Sequence, residues 1–522
     1  GAPVDFASAA SASAVCSFCR STLLREGEVL RRIGVSAELF EDHSPLQLGA
    51  TGRHQGVAFS VVGRLQYRYA EGSWNEWHVL FDAAADATPK PAWLSEDNGA
   101  YVLSFDQPPL ADAPAADELH PGERRLVAGS AWSVASVQQA SLAAALGELP
   151  RPPLLQGSFT VADLRNERGE VGTLDYSHPT APLWAVGRSV TLAELVMQGL
   201  REGPAEATLA GRQIPCPSCG APLAPTLAST RSISCGQCHA VVDLSQGAGA
   251  DLQHYAQHHS GESGLMPQIP LGRSGRLALG ADGPLDWQVV GYQERCDVPA
   301  DADDEQSFWR EYLLFHRSAG FAFLVDAEDG WSWVRPVTGA PLLRGGQANL
   351  AGLAYRERYR YKAKVTWVLG EFYWRVQREE QADVTDYDGP GGARLSREQT
   401  GSEVVWSAGR TLDVKTVVSA FGIEAAEQAA MRRDAAPLSG LGGGASGSGF
   451  SINPGLVMVL VVIVVIVLMS RCSSSDDCRS VQQNFGESSA EYQQCLRSQR
   501  SGGFSSGGGS FGGFSSGGGG HK

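Results

Sequence analysis

One unit of about 200 residues is written twice in this chain, and that duplication sets the architecture. LGATGR at 48–53 returns as LGRSGR at 271–276, and FSVVGRLQY at 59–67 as WQVVGYQER at 287–295. WNEW at 74–77 returns as WREY at 309–312, and LGEL at 146–149 as LGEF at 369–372. WAVGRSVTL at 184–192 returns as WSAGRTLDV at 406–414. The order never changes and the offset stays between 219 and 235, so a whole unit was copied with short loop insertions.

Cysteines extend the repeat. Residues 216–238 read CPSCGAPLAPTLASTRSISCGQC, two Cys-x-x-Cys pairs. Residues 1–19 read GAPVDFASAASASAVCSFC, with one pair; Gly1 to Cys16 and Gly220 to Cys235 are both fifteen residues apart. This alignment predicts a further Cys-x-x-Cys immediately before Gly1. Two residues between thiolates let one knuckle present both to a tetrahedral ion, and the intervening segment is long enough for a hairpin. Cys216, Cys219, Cys235 and Cys238 therefore form a candidate zinc ribbon, with Gly220 and Gly236 in its turns. Cys16 and Cys19 are half of an equivalent site. A four-cysteine site is closed, so the zinc is expected to be structural. Cys296 stands alone and reads as a buried apolar residue.

Within each unit, runs such as Val57–Tyr69 and Trp77–Phe81 are rich in β-branched and aromatic residues. Asn98-Gly99, Arg168-Gly169 and Asp329-Gly330 read as hairpin turns. Seven or eight short strands per unit point to a barrel or sandwich. A helix is expected at the end of each unit, over Leu192–Leu200 and Val414–Met431. The fold class is thus mainly β: two tandem barrel- or sandwich-like units, each preceded by a zinc ribbon, plus one C-terminal transmembrane helix. The expected boundaries are a truncated ribbon at 1–27, a first β unit at 28–203, a ribbon at 212–245, a linker at 246–268 and a second β unit at 269–434. A Gly/Ser linker at 435–451, a span at 452–470 and a polar, cysteine-containing tail at 471–522 follow.

The span rests on Leu456–Met469, fourteen uninterrupted apolar residues. Extended back to Ile452 it makes eighteen, about 27 Å of helix at 1.5 Å per residue. Gly/Ser linker and polar tail flank it, leaving no adjacent domain to bury it. The tail ends in Gly/Ser/Phe low complexity that cannot build a core. Cys478 and Cys495 could tie a helical pair if the tail is extracellular, leaving Cys472 odd beside the membrane.

Other polar residues read mainly as structural. Glu76 and Glu311 recur in W-x-E-[WY], and Glu148 and Glu371 in L-G-E. Such carboxylates read as outward-facing strand residues beside inward aromatics, or as carboxylates bonded to a turn. No duplicated His or Ser completes a triad, so no catalytic residue is assigned. His254 and His258 would share a face only if DLQHYAQHHS is helical, and a solvated helix is the expectation there. Arg188 and Arg410 in W-x-x-G-R read as structural, and the L-G-x-[ST]-G-R segments as turns.

Net charge is −15, which disfavours a nucleic-acid partner.

The ordered motifs VVGRLQYRY with WNEWHVLF, WLSEDNGAYVLSF, and LGEFYWRV with LSREQTGSEVVWS resemble a bacterial family, domain of unknown function 4178, over about residues 1–434 in two copies. The Gly/Ser/Phe tail resembles tails of such proteins. Members commonly begin with a Cys-x-x-Cys ribbon, from which this chain departs at its start. The resemblance implies no known enzymatic activity. It implies a place among membrane-stress systems, beside small integral membrane proteins and polyamine-synthesis-like enzymes. The expectation is a non-enzymatic, envelope-associated interaction scaffold at the bacterial inner membrane. It would be single-pass, with its units cytosolic and its tail outside, and with the membrane and unknown proteins as partners. Its oligomeric state stays open. The alternatives are a lipid or small-ligand binding protein using the β units, which large cavities would favour, and an enzyme using the duplicated carboxylates.

Overall fold

The computed structural model describes residues 13–431, apart from internal stretches of which 36–43, 83–88, 202–213, 245–251, 258–266 and 300–305 are the longest. Residues 1–12 and 432–522 lie outside the described residues, and with them the 452–470 run and the tail. So do Cys16, His258 and the Asn98-Gly99 turn. Among the described residues no helix is long and apolar enough to cross a membrane.

Each unit is an eight-stranded, wholly antiparallel barrel. In the first, β1 (Val57–Arg68), β2 (Ser73–Phe81), β3 (Lys90–Asp97) and β4 (Ala100–Asp106) form one meander. A second comprises β5 (Ser130–Leu149), β6 (Phe159–Arg165), β7 (Glu170–Asp175) and β8 (Leu183–Val190). β4 pairs with β8 and β5 with β1, which closes the ring. The second barrel repeats this with β9 (Pro284–Asp297), β10 (Phe308–His316), β11 (Gly320–Ala327), β12 (Gly330–Val337), β13 (Leu353–Phe372), β14 (Gln381–Asp388), β15 (Ala393–Gln399) and β16 (Val404–Leu412). It closes through β12–β16 and β9–β13.

Closure depends on one long bent strand per barrel. β5 pairs β6 through Ser133–Ala140 and then β1 through Ser141–Gly147. β13 does the same with β14 and β9. Glycines permit the crossing and explain why V-V-G and L-G-E recur. Gly63 lies opposite Gly147, and Gly291 opposite Gly370. A Cβ on Gly63 would collide with the Glu148 carbonyl, and one on Gly291 with that of Glu371. Gly147 and Gly370 also hold positive φ, 72° and 85°.

Along β2 and most of β10 both strand faces are buried. Trp77, Val79 and Phe81 pack outward beneath a cover containing Leu46 and Leu195. In the second barrel Trp287, Tyr312 and Leu314 pack beneath Ile269, Val417 and Phe421. The covers differ in form. Val414–Phe421 is a helix, α1, capped by Asp413 and ended by Gly422 at φ 59°. A shorter helix, Ala425–Gln428, follows. The helix expected over Leu192–Leu200 is instead a series of turns. Thr191 and Glu194 bond each other's backbone N–H as a capping box would, at 3.1 and 2.7 Å. Val196 then turns to φ 47° and Gln198 bridges to Thr51, so no helix propagates. The DLQHYAQHHS helix is also corrected: His254–Tyr255 is a short strand pairing with Val241–Asp243.

Candidate metal centre and barrel interiors

The ribbon consists of two matched knuckles. Gly220 N donates to Cys216 O at 2.8 Å, and His239 N to Cys235 O at 2.8 Å. The residues after the second cysteine of each pair take the left-handed conformation, Gly220 at φ 78° and His239 at φ 58°. Gly220 and His239 are thus the left-handed pair, and Gly236 lies in the second turn without that conformation. The four sulfurs lie within 4.8 Å of one another, with Cys216–Cys238 at 3.8 Å and Cys219–Cys235 at 3.7 Å. A tetrahedral ion with bonds of about 2.3 Å needs sulfurs about 3.8 Å apart. The donor set and its geometry thus fit one metal ion with no open position. Packed together, the thiols oppose one another: the Ala240 N–H draws Cys238 down, while Cys216 and Cys219 are pushed up, Cys216 chiefly by burial and Cys219, against the Ala221 N–H, by its neighbouring thiols.

The ribbon is built onto the second barrel. Its strand Ser232–Ser234 pairs with the end of β13, Ser232 opposite Phe372 and Ile233 opposite Glu371. Buried Glu371 accepts from Thr226 N at 2.8 Å, Leu227 N at 3.1 Å, Thr226 Oγ1 at 2.7 Å and Thr230 Oγ1 at 2.5 Å. The L-G-E glutamate is a clasp on the loop between the two cysteine pairs. Gln257, from the expected linker, joins the same junction by bonding His239 O at 2.6 Å and Val368 N at 2.9 Å.

The first copy keeps the hairpin that follows the ribbon's first knuckle. Ser13–Val15 pairs with β5 in the same register, Ser13 opposite Leu149 and Ala14 opposite Glu148. Cys19 is exposed and bonds Ser21 Oγ at 3.3 Å. It takes no part in the four-sulfur group.

The duplicated W-x-E glutamates do not face outward. Trp74 and Glu76 point into the first barrel, Trp309 and Glu311 into the second. Trp74 Nε1 donates to Glu76 at 2.9 Å, and Trp309 Nε1 to Glu311 at 2.7 Å. Alternation puts i and i+2 on one face, so tryptophan and glutamate share a face, and that face is the interior. A second matched pair lies across the barrel: Thr173 bonds Asp163 at 2.9 Å, and Ser396 bonds Asp386 at 2.7 Å.

The two interiors then diverge. In the second barrel Arg295, 1% exposed, lies 2.7 Å from Glu398, 3.5 Å from Glu311 and 5.7 Å from the centre of the Trp309 ring. Burial works against its charge, but Glu398 and Glu311 together outweigh it and raise its pKa. Burial pushes the Glu398 carboxyl up to about 8, because one guanidinium faces two acids. Trp374 plugs the end, packed on Phe372 and Phe323.

In the first barrel the aligned registers put Tyr67 at the place of Arg295, Asp175 at that of Glu398 and Arg151 at that of Trp374. Here a cavity of about 110 Å3 opens inside the barrel, lined by Tyr67, Trp74, Glu76, Trp93, Phe159 and Asp175 among others. Tyr67 stacks on Trp74 at 5.0 Å. Burial, then Asp175 and Glu76, hold the Tyr67 hydroxyl well above its ordinary pKa. Arg151 stands at the mouth, 43% exposed and 3.1 Å from Asp106.

Arg188 and Arg410 are surface braces, on Glu170 at 3.3 Å and Gly391 O at 3.0 Å. Sequence reasoning missed the Arg295–Glu398 pair and the Trp374 plug. The signal was present: FSVVGRLQY ends in Tyr where WQVVGYQER ends in Arg.

Two closed barrels in tandem, one bearing a four-cysteine cluster that could hold a metal ion, define a duplicated, mainly β module. The chain belongs to the family described as domain of unknown function 4178, whose model matches residues 47–192 and 283–414, one barrel each. No curated protein and no solved structure matches it.

Proposed function

We propose that this protein is a non-enzymatic binding scaffold whose ribbon cysteines hold a structural zinc ion and whose C-terminal run at 452–470 tethers the units to a membrane. The observation that carries the reading is the closed four-sulfur site joined to the second barrel by Glu371 and Gln257. A metal with four protein ligands and no open position braces a fold and performs no reaction on it. The apolar run between a Gly/Ser-rich stretch and a polar tail supports the tether. Duplicated barrels on such a tether suit multivalent contact with other membrane-associated proteins. Full-length protein should contain about one zinc per chain, lost in Cys216→Ser. A folded chain without metal overturns the zinc. Thiol labelling of intact cells with an impermeant reagent, after mild reduction, tests the tether's orientation. Labelled tail cysteines with protected ribbon cysteines support cytosolic units, and a tail labelled only after lysis defeats them.

A second reading has its own support. The cavity of the first barrel, where Tyr67 and Arg151 take the places of Arg295 and Trp374, favours binding of a small ligand there.

A further inference from the structure

We propose that the first barrel's cavity receives an alkylguanidinium group, a class that deepens the small-ligand reading just given and rests on it. The argument comes from the sister barrel, which holds such a group of its own. There a guanidinium lies between Glu398 and Glu311 and beside the Trp309 ring. The first barrel places Asp175, Glu76 and Trp74 at the matching positions, where Glu76 also accepts from Ser95 Oγ at 2.6 Å and Asp175 from Ser177 N at 2.7 Å, and it has a tyrosine where the arginine stands. Tyr67 in its place brings an aromatic wall and no charge, and Phe159 packs edge-on against it at 5.7 Å.

The cavity is measured with Tyr67 in place. At about 110 Å3 it approaches the ~150 Å3 of an engineered cavity known to hold benzene, so a small planar group fits. Carboxylates and aromatic faces in one low-dielectric space select a delocalised cation over a neutral or anionic group. Arg151 does not fill the role, since it stands at the mouth, largely exposed and paired with Asp106. Its exchange for the sister's Trp374 leaves that end open to entry.

The test titrates full-length protein with ethylguanidinium, N-ethylurea as neutral isostere and propionate, each far below denaturing concentration. Ethylguanidinium should bind with roughly tenfold or greater preference over N-ethylurea, and Asp175→Asn should erase most of that preference. Tyr67→Arg supplies the cation internally and should abolish binding. Arg295→Ala provides a second measurement, independent of the first barrel's folding: it should create a site in the second barrel whose thermal stability ethylguanidinium restores and N-ethylurea does not. Equal binding of ethylguanidinium and N-ethylurea overturns the cation class while leaving the ligand reading intact. Binding of none of the three overturns both. Binding unchanged by Asp175→Asn and Tyr67→Arg places the ligand elsewhere and defeats the proposal.

Discussion

The two barrels share a frame and differ in what fills it. Both cross a long bent strand over a glycine pair, both seat a tryptophan on a buried glutamate, and both bury their outer face beneath a C-terminal cover. Inside, the second barrel carries its own cation and is stoppered by Trp374, whereas the first has Tyr67, Arg151 and a cavity. The difference teaches where a duplicated fold is free to change. Positions that set backbone approach are held in common, while positions that only occupy volume have diverged. The four-cysteine ribbon follows the same division, clasped to the filled barrel.

The sharpest way to break this comparison is to remove the metal. Chelation or Cys216→Ser should unfold the ribbon, because structural zinc binding energy of about 10 kcal/mol or more is folding energy. Hydrogen exchange should rise at residues 214–244 and at the end of β13, and stay unchanged in β1–β8. Equal loosening of both barrels would contradict an anchor specific to the second. Next, Arg295→Met removes the guanidinium that both Glu311 and Glu398 face and should cost about 3–5 kcal/mol in urea unfolding. Tyr67→Phe, at the matching place, removes only a hydroxyl and should cost about 1 kcal/mol or less. Similar losses would show that the interiors are energetically alike.

Third, Glu371→Ala strips the clasp and should cost about 1–3 kcal/mol by orphaning Thr226 and Leu227 donors. Its expected signature is weaker zinc retention against a competing chelator, which Glu148→Ala should not produce. The remaining test concerns pH. The folded Glu398 carboxyl keeps its proton up to about 8, against an ordinary 4.5. The native state therefore binds more protons between those values. The associated stability is fully present below about 4.5 and is lost as pH rises through 8. Glu398→Gln should flatten that part of the pH–stability curve, and an unchanged slope would locate the proton elsewhere.

Much of the frame was legible in the chain. Repeated motifs gave two units, β-branched runs gave the strands, and cysteine spacing gave the four-sulfur cluster. What escaped was whatever depends on which side of a strand faces in. Glu76 and Glu311 read as outward because alternation supplies two faces without saying which is interior, and here both are buried. The 192–200 helix failed because its first turn carries a capping box while Val196 and Gly199 adopt left-handed backbone, a choice made by the bridge to Thr51. The Arg295–Glu398 pair spans roughly a hundred residues, so no local pattern announces it.

The long bent strands also bear on how the chain reaches its native state. Each barrel closes by joining segments roughly eighty residues apart, Gly63 to Gly147 and Gly291 to Gly370, so closure must wait for distant sequence to arrive. Because both copies close through the same V-V-G and L-G-E crossing, each closing strand is a competitor for the other's partner. Synthesis in N-to-C order resolves the competition, since β1–β8 are complete before β9 emerges. Refolding from denaturant removes that head start, and exchanged barrels, β13 closing on β1, are the characteristic error to expect from such a chain.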